Sequence, residues 1–322
     1  MTFGPLLARA AARRKAVREI TNAYRLFDGS GDGLPGLYID RLGPAAILSV
    51  YDDAEIVDEA VTGVANEVLS MLSPDGLEAI YVKPFTRDRS RLGGRAPVEA
   101  TSAVPRTGTV QPEALLVHEH DVRFEVRPYD GFSTGLFLEH REHRRALAER
   151  GASGVLNLFA YTCGFSVPLA LSGAHVTNVD VSARYLKWGA RNHELNHIEP
   201  ARVRYARMDA LAFLRHAARH EDKRSDLIVI DPPTFGAADK SKGVKPWKAS
   251  RDYPVIIEAA VRVLAPGGAI FAATNSRTLA APGALRTMIQ SAVPRVRWES
   301  LPAWPADVRE RGRVAAALFT VR

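Results

Sequence analysis

The 322-residue sequence predicts an α/β protein, in which a Rossmann-like, doubly wound, mostly parallel sheet follows a smaller N-terminal α+β domain. Three observations predict this fold. Short apolar runs alternate with helical patterns through residues 154–274, polar residues stand at the ends of those runs, and the first half is richer in strand patterns and turns. Alternating strands and helices are typical of a parallel sheet that is covered on both faces and binds ligands at the carboxyl ends of its strands.

The N-terminal half begins with a basic helical pattern over residues 6–24, which contains no glycine or proline. Its arginines either contact phosphate or form a solvated helix face, and the sequence leaves both open. Pro128 and Gly131 interrupt the pattern, so we expect a domain boundary near Arg127, dividing the chain into residues 1–127 and 128–322. Between these points the patterns indicate a turn cluster at 28–36, strands at 37–39, 45–51 and 79–82, a helix at 55–72, and a hairpin at 115–126.

The composition narrows the class of protein. The hydrophobic fraction of 46% is that of an ordinary globular protein, and the net charge of +7 suits a polyanionic partner without requiring one. The single cysteine excludes an internal disulfide and a cysteine-based metal cluster and favours a reducing compartment. No apolar run approaches membrane-spanning length. We therefore expect a cytoplasmic monomer or homodimer with no membrane partner and no metal.

In the C-terminal half, strand and helix patterns follow one another regularly. Ser182 is well placed to cap the second helix. Strands are predicted at 154–160, 176–180, 203–205, 226–231 and 269–274, and helices at 165–171, 182–196, 210–219 and 253–264.

Polar residues end four of these strands: Asn157, Asp180, Asp209 and Asp231. A carboxylate after the second strand is spaced to bind ribose hydroxyls, and Asp209 can accept a hydrogen bond from an adenine amine. An aspartate after a strand is most often only a helix cap, so none of them is decisive alone. Four polar residues at the corresponding ends of successive strands, taken together, predict a nucleoside pocket.

The turn after the first strand indicates which nucleoside is bound. A dinucleotide would favour G-x-G-x-x-G, with its pyrophosphate at a helix N-terminus. Here the turn reads Tyr161-Thr162-Cys163-Gly164 with one glycine, and the chain contains no Walker sequence. A cofactor with an amino-acid tail and no phosphate fits better, which points to S-adenosylmethionine.

The segment Asp231-Pro232-Pro233-Thr234-Phe235 follows an apolar strand. Its prolines fix two φ angles and remove two N–H donors, so the turn is stiff. Stiff acceptors beside an aromatic ring suit a planar, nitrogen-bearing substrate. We therefore assign Asp231, Pro232 and Phe235 as catalytic residues, with Asp231 or the Pro232 carbonyl orienting an N–H and Phe235 stacking on the base.

Several motifs resemble those of class I S-adenosylmethionine-dependent methyltransferases, and most of all those of the bacterial 23S ribosomal RNA base methyltransferases that make 7-methylguanine or 5-methylcytosine. The similarity extends from about residue 22 to the C-terminus. It rests on Asp32–Asp40, His118–His120, Thr134–Arg141, Asn157–Phe165, Val179–Ser182, Tyr185–Asn192 and Asp231–Phe235.

This resemblance implies a cofactor site. The segment from Asn157 to Gly164 would hold the methionine part, Asp180 the ribose, and Asp209 and Ala210 the adenine, while Phe137 and Arg141 would form an outer wall. The full expected set of cofactor-binding residues is Phe137, Arg141, Asn157, Phe159, Tyr161, Thr162, Cys163, Gly164, Asp180, Ser182, Asp209, Ala210 and Asp231.

The chain departs from that family at two places. The small RNA-binding domain that many members carry at the N-terminus is replaced by the basic helix. The 5-methylcytosine makers use a cysteine after a late strand, where this chain reads Ala273-Thr-Asn-Ser-Arg277. We therefore expect methylation of a base in structured RNA, namely ribosomal RNA, at a guanine or other nitrogen rather than at cytosine C5. The alternatives are a methyltransferase of a protein side chain or small molecule, and a non-catalytic, cofactor-binding RNA assembly factor.

A basic segment follows Asp231–Phe235, which we call the substrate turn, and carries cations on both sides of an aromatic residue. It is either a loop that closes on RNA or a mobile solvated loop, and the sequence leaves both open. The expected RNA-binding residues are Lys240, Lys242, Lys245, Trp247, Lys248 and Arg251.

Overall fold

The computed structural model describes residues 3–54, 56, 58–86, 97–220, 224–236, 246–310 and 312–321. The chain divides into two units, Met1–Arg141 with Trp304–Glu310, and Glu142–Ala303 with Arg311–Arg322. Residues 128–141, which the sequence patterns assign to the second domain, cluster with the first unit. The aromatic ring of Phe132 packs on that of Phe85 at 5.0 Å, and the Lys83 Nζ donates to the Gly131 carbonyl. The division of roles between residues 1–127 and 128–322 stays a prediction.

The first unit contains helices Gly4–Arg13 (α1), Lys15–Arg18 (α2) and Asp58–Leu72 (α3), and strands Ala23–Asp28 (β1), Leu37–Leu42 (β2), Ala45–Tyr51 (β3), Ala79–Phe85 (β4), Thr107–Gly108 (β5), Leu115–Glu119 (β6) and Val122–Val126 (β7). Five of these strands form a sheet in the order β1-β2-β3-β4-β5, which is mostly antiparallel, with β3 and β4 parallel. The other two, β6 and β7, pair as a separate hairpin.

Alternation along these strands places successive side chains on opposite faces of the sheet. Leu37 and Ile39 lie in one core with the buried residues of α1 and α3, such as Leu7 and Val68. Successive side chains of a strand point to opposite faces, so Tyr38 lies on the other side of the sheet. The apolar residues of α1 and α3 recur every three to four positions, which is why one face of each helix is buried.

Two buried arginines hold the Trp304–Glu310 segment within the first unit. Arg14 donates to the Asp32 carboxylate at 2.8 Å and to the Asp307 carbonyl at 3.1 Å. Arg141 donates to both carboxylate oxygens of Asp307, at 2.8 and 3.0 Å. Burial opposes ionisation of Asp32, but the hydrogen bonds and charge of Arg14 outweigh it and lower the pKa of that carboxyl. Paired charges of this kind tolerate burial, whereas the loss of one partner is costly.

The second unit contains helices Arg141–Glu149 (α4), Ser166–Leu171 (α5), Ala183–Leu195 (α6), Ala210–Ala217 (α7), Ala249–Val261 (α8), Arg277–Ala280 (α9) and Ala284–Ala292 (α10), and strands Gly154–Leu158 (β8), His175–Asp180 (β9), Val203–Arg207 (β10), Ser225–Ile230 (β11), Phe235–Gly236 (β12), Trp247–Lys248 (β13), Leu264–Thr274 (β14), Val296–Glu299 (β15) and Ala315–Val321 (β16). Seven of these strands form a sheet in the order β10-β9-β8-β11-β14-β16-β15. The first five run parallel to one another, and β16 runs antiparallel to both of its neighbours, β14 and β15. This arrangement confirms the predicted doubly wound, mostly parallel fold.

The central strands are buried on both faces. Leu156 and Ile228 pack with α7 and α8, whereas Val155 and Val229 pack with α5 on the other face. This double burial explains why the strands read as continuous apolar runs. β12 and β13 form a separate two-stranded ribbon immediately after the substrate turn.

No helix in the described part of the chain combines the length and apolar character needed to cross a membrane.

Candidate active site

Four polar residues lie along one edge of the second sheet. Asp180 ends β9, Asp231 directly follows β11, and Asp209 comes two residues after β10. Asn157 lies near the end of β8, between β9 and β11 in the sheet. Because these four neighbouring strands are parallel, their carboxyl ends meet at the same edge, where ligands bind in such sheets.

Asn157 lies deeper than the other three. It is buried, and its Nδ2 donates to Oδ1 of Asn178 on the adjacent strand at 3.0 Å. Asn178 is also fully buried, and its own Nδ2 has no acceptor among the described residues. The pair is therefore a polar spot inside the sheet layer, directly behind the turn that follows β8. A part for Asn157 in cofactor binding stays a prediction.

The turn after β8, residues 159–163, has an unusual backbone, and we call it the strained turn. Phe159, Tyr161 and Cys163 all adopt positive φ, at 54°, 48° and 63°. Each such non-glycine residue costs on the order of 1–3 kcal/mol and persists only when its surroundings hold it. Backbone strain of this kind clusters at ligand sites, so this turn is the strongest conformational signal of a binding loop in the second unit.

Helix α6 supplies those surroundings. The Asn192 side chain donates to the Thr162 carbonyl at 2.8 Å in a buried position. Gly189 faces Cys163 so closely that a β-carbon there would overlap the cysteine sulfur. Burial, reinforced by the nearby charge of Asp180, raises the pKa of the Cys163 thiol. A buried, protonated thiol is a packing group and not a nucleophile.

A buried histidine fixes α6 against its neighbours. The Nδ1 of His193 lies 2.7 Å from the Gly189 carbonyl, and its Nε2 lies 2.8 Å from the Ser166 hydroxyl. A carbonyl can only accept, so Nδ1 carries the proton and Nε2 accepts from Ser166. Burial lowers the pKa of His193 to about 4, outweighing the carbonyl of Gly189. The ring is therefore neutral at physiological pH, and Tyr205 reaches it as well, at 2.9 Å.

Asp180 connects this turn to the next helix. Its Oδ2 accepts from the Tyr161 N–H at 2.9 Å, and its Oδ1 accepts from the Ser182 N–H at 2.8 Å. Burial raises the pKa of Asp180, while these two N–H groups and the N–H of Val181 oppose the rise. A carboxylate offers about four acceptor sites, so Asp180 can still accept a hydrogen bond from a ligand hydroxyl.

Ser182 and Asp209 both cap helices. The Ser182 hydroxyl accepts from the Tyr185 N–H, and Asp209 Oδ1 accepts from the Ala212 N–H at 2.9 Å. Asp209 Oδ2 makes no hydrogen bond within the part of the chain that the structure describes, which leaves it available to a ligand amine. Ala210 is buried. Roles of Ser182, Asp209 and Ala210 toward a cofactor stay predictions.

In the substrate turn, Asp231 is partly buried, Pro232 is buried, and Phe235 is 65% exposed. Trp247 pairs with the turn through the β12–β13 ribbon and donates its Nε1–H to the Pro233 carbonyl at 2.7 Å. The same indole contacts Phe159 of the strained turn, at 5.0 Å between ring centroids. Trp247 thus links the strained turn to the substrate turn.

The other predicted RNA-binding residues differ in their surroundings. The Arg251 guanidinium is exposed but binds the Asp252 carboxylate at 2.7 Å and the Pro246 carbonyl. Lys248 is exposed, and its backbone N–H is capped by Asp252. Lys240, Lys242 and Lys245 lie outside the described residues.

Phe137 and Arg141 belong to the first unit. Phe137 is 38% exposed, whereas Arg141 is buried and binds Asp307 and the Ala23 carbonyl. Their predicted place in an outer cofactor wall stays a prediction.

The structure gives three residues near the substrate turn contacts that the sequence motifs do not predict: Tyr253, Thr234 and Asn275. The Tyr253 hydroxyl, fully buried on α8, lies 2.9 Å from the Ile230 carbonyl and 2.6 Å from the Ala273 carbonyl, at the ends of β11 and β14. Beyond those ends, Thr234 donates its hydroxyl to Oδ1 of Asn275 at 2.6 Å. A tyrosine on the apolar face of a helix is the only sequence feature that hints at the first of these contacts.

No group of three or more His, Cys, Asp or Glu side chains among the described residues is arranged to hold a metal ion.

Comparison with known proteins places these features in a family. The family model described as S-adenosylmethionine-dependent methyltransferase matches residues 101–317. The chain is 33% identical over 269 residues to the ribosomal RNA large subunit methyltransferase K/L of Dichelobacter nodosus, covering 82% of this chain but 35% of that protein. It is 30% identical to YwbD of Bacillus subtilis, provisionally named a ribosomal RNA large subunit methyltransferase, covering 84% of this chain and 65% of YwbD.

Among solved structures, the chain is similar to SMU.776, provisionally described as a methyltransferase and complexed with SAH. The TM-score is 0.84 at 26% identity, over 99% of this chain and 81% of that one.

Proposed function

The chain belongs to the S-adenosylmethionine-dependent methyltransferase family, and from this premise we propose that it methylates a nitrogen of a base, in first place guanine, in large-subunit ribosomal RNA. The curated relatives named for this RNA support the choice of substrate. The chain spans only part of their length, so the activity of this chain as a whole is part of the proposal.

The strand-end residues fit S-adenosylmethionine, the cofactor of this family. Asp180 can still accept from a ribose hydroxyl, the strained turn brings backbone groups to the same edge, and Asp209 Oδ2 can accept from an amine. When bound, the cofactor supplies an activated methyl group on a sulfonium.

The substrate turn supplies the rest of the chemistry. Where the attacking nitrogen carries a hydrogen, Asp231 or the Pro232 carbonyl would accept a hydrogen bond from it and so position the nitrogen in line with the methyl group. The Asp231 carboxylate would then take the proton that leaves as the new N–C bond forms. Exposed Phe235 offers a face for the target base. Stacking there would return about 1–3 kcal/mol of the few kcal/mol needed to take a base out of its helix.

Attack by nitrogen is favoured over attack by carbon because cytosine C5 needs a covalent thiolate. Cys163, the only cysteine in the sequence, is fully buried beneath α6 with a raised pKa. The turn after β14 presents Asn275 instead. A ring nitrogen with a free lone pair needs no such nucleophile.

The observation that carries this proposal is the alignment of Asp180, Asp209 and Asp231 at the ends of neighbouring parallel strands, beside an exposed aromatic ring. The test incubates the purified protein with methyl-labelled S-adenosylmethionine and large-subunit ribosomal RNA from cells lacking it, followed by mass spectrometry of the nucleosides. We expect one methylated guanine.

Asp231→Ala should abolish transfer while cofactor binding remains, whereas Asp121→Ala, on the exposed hairpin turn, should leave both unchanged. Methyl transfer to protein or small molecules but not to RNA would contradict the substrate. Cofactor and RNA binding by the wild-type protein without any transfer would contradict the activity.

A further inference from the structure

We propose that Asn275 is a specificity-determining residue, whose side-chain Nδ2 donates a hydrogen bond to a carbonyl oxygen next to the reacting nitrogen of the target base. This inference rests on the proposed function and extends it to a residue that the methyl-transfer argument does not use. Asn275 directly follows β14, which is the neighbour of β11 in the sheet, so it lies beside the substrate turn.

The backbone around Asn275 is held on both sides. Upstream, the buried Tyr253 hydroxyl bridges the carbonyls at the ends of β11 and β14, which ties the two strand ends together. Downstream, the Ser276 N–H donates to the buried Thr274 hydroxyl oxygen at 3.2 Å, and the Ser276 carbonyl accepts from Ala280 in α9. A site on such a supported turn can hold a side chain within the tolerance that selective recognition needs.

Thr234 orients the amide of Asn275. Its hydroxyl donates to Oδ1 at 2.6 Å, which fixes the oxygen toward the substrate turn and leaves the two Nδ2 hydrogens on the other side of the amide. Asn275 is exposed, and its Nδ2 has no partner in the portion of the chain that the structure describes. The β12–β13 ribbon begins at Phe235, the residue directly after Thr234, and Phe235 is 65% exposed. The amide of Asn275 thus binds the residue directly before the aromatic ring that is proposed to hold the base, and its donor is uncommitted.

A donor at this place selects among bases by chemistry. Guanine carries the carbonyl O6 between its N1 and N7, whereas adenine carries an amine at the same position. The Nδ2 hydrogens would bond to O6 but would meet the hydrogens of an adenine amine. A site that leaves a polar group unpaired against the wrong substrate discriminates more strongly than a site that only loses contact area.

The experiment measures base discrimination in a short RNA containing the nucleotide that the wild-type protein modifies. That position is synthesised as guanosine, as inosine, which keeps O6, or as 2-aminopurine riboside, which lacks it. For the wild-type protein we expect similar kcat/KM for guanosine and inosine and a value at least about tenfold lower for 2-aminopurine, since one lost hydrogen bond of about 1.4 kcal/mol is tenfold.

Two variants assign this preference to Asn275. Asn275→Asp keeps an oxygen that can accept from the Thr234 hydroxyl but replaces the Nδ2 group, with its two hydrogens, by a second oxygen. Thr234→Val keeps the shape of the side chain but removes the hydroxyl that orients the Asn275 amide. Asn275→Asp should lower kcat/KM for guanosine about tenfold or more and bring the guanosine to 2-aminopurine ratio close to one, while Thr234→Val should reduce that ratio in part. Asn66→Asp, the same change at an exposed site of α3, should leave the ratio unchanged.

The outcomes separate this inference from the function on which it rests. A ratio that stays at the wild-type value in Asn275→Asp, with cofactor affinity intact by calorimetry, overturns the role of Asn275 while ribosomal RNA methylation stands. Methylation of an adenine amine or of cytosine C5 also overturns it. Absence of transfer by the wild-type protein to any ribosomal RNA overturns both.

Discussion

Gly189 of α6 and Cys163 of the strained turn are packed so tightly that no side chain fits at position 189. A β-carbon there would overlap the cysteine sulfur and would lie 3.0 Å from the cysteine Cβ and 3.3 Å from the Thr162 carbonyl carbon. The glycine is therefore needed for close approach between the helix and the turn, because the turn is held in its high-energy backbone conformation from this side.

Gly189→Ala should accordingly damage cofactor binding. The added methyl group must push the turn away from α6, so we expect at least about a tenfold loss in affinity for S-adenosylhomocysteine, equal to about 1.4 kcal/mol. Gly63→Ala on α3 is the matched control, because its β-carbon would meet nothing within 4 Å and should be neutral or stabilising. Calorimetric titration and thermal unfolding of both variants make the comparison.

Asp180→Asn tests the ribose assignment. The amide would place an NH2 group against the N–H of either Tyr161 or Ser182, and it removes the charge that accepts hydroxyl hydrogens. We expect about a 10- to 100-fold loss of S-adenosylhomocysteine affinity, because an unpaired polar contact costs about 1–3 kcal/mol. Asp121→Asn, in the exposed hairpin turn, is the control. Unchanged affinity in Asp180→Asn would remove Asp180 from the site.

Trp247→Phe tests the connection between the two turns. The variant keeps an aromatic ring against Phe159 but loses the hydrogen bond to the Pro233 carbonyl. We expect kcat/KM for RNA to fall about three- to tenfold with little change in cofactor affinity, since one neutral hydrogen bond contributes about 0.5–1.5 kcal/mol. Trp298 lies on the edge strand β15 and packs on Phe319 of β16, so Trp298→Phe should retain activity. A larger loss in cofactor affinity than in RNA turnover would contradict this role.

The stability of the second unit should fall at acidic pH through His193. Its pKa is lowered to about 4 in the folded protein, below the unfolded value near 6.5, so the unfolded state binds the proton first as pH falls. The contribution of the neutral His193 ring to the free energy of unfolding is complete above about pH 6.5. As the pH falls to about 4, the free energy of unfolding decreases by roughly 3 kcal/mol.

Denaturant unfolding between pH 4.5 and 7.5 measures this loss. His193→Gln should be less stable at pH 7 and show a shallower pH dependence than the wild type. His175→Gln, at an exposed position of β9, should keep the wild-type slope. Parallel curves for the wild type and His193→Gln would show that another group titrates.

Lys83 makes a prediction of the same sign in the first unit, at alkaline pH. It is buried, and burial lowers its pKa to about 7, although the carboxylates of Asp130 and Asp40 oppose the shift. Its folded pKa lies below the unfolded value, so it destabilises the fold below about pH 7 and this cost disappears as pH rises toward about 10. Lys83→Met should raise the unfolding free energy at pH 7 by about 1–4 kcal/mol and flatten its rise at alkaline pH. A destabilised variant would show that the hydrogen bond to the Gly131 carbonyl outweighs the burial cost.

The strand ends could be predicted because they depend on local patterns. Leu227 to Asp231 reads as an apolar run closed by a carboxylate, and the strand pattern of Val176 to Asp180 also ends in a carboxylate. Right-handed parallel connections bring such ends to one edge. β15 and β16 were not predicted. Val296–Glu299 carries mixed polarity, and Ala315–Ala317 has short side chains, so neither stands out as a strand until it pairs with β14.

By itself, the sequence determined the doubly wound architecture, the order of its polar strand ends and the stiff Asp-Pro-Pro turn, because periodicity and proline act over a few residues. Only the tertiary structure decided that α6 holds the strained turn, that Tyr253 joins two strand ends and that Arg141 binds Asp307. Those contacts join residues distant in the chain, and a single sequence records the chemical groups but not which of them meet once the helices have packed.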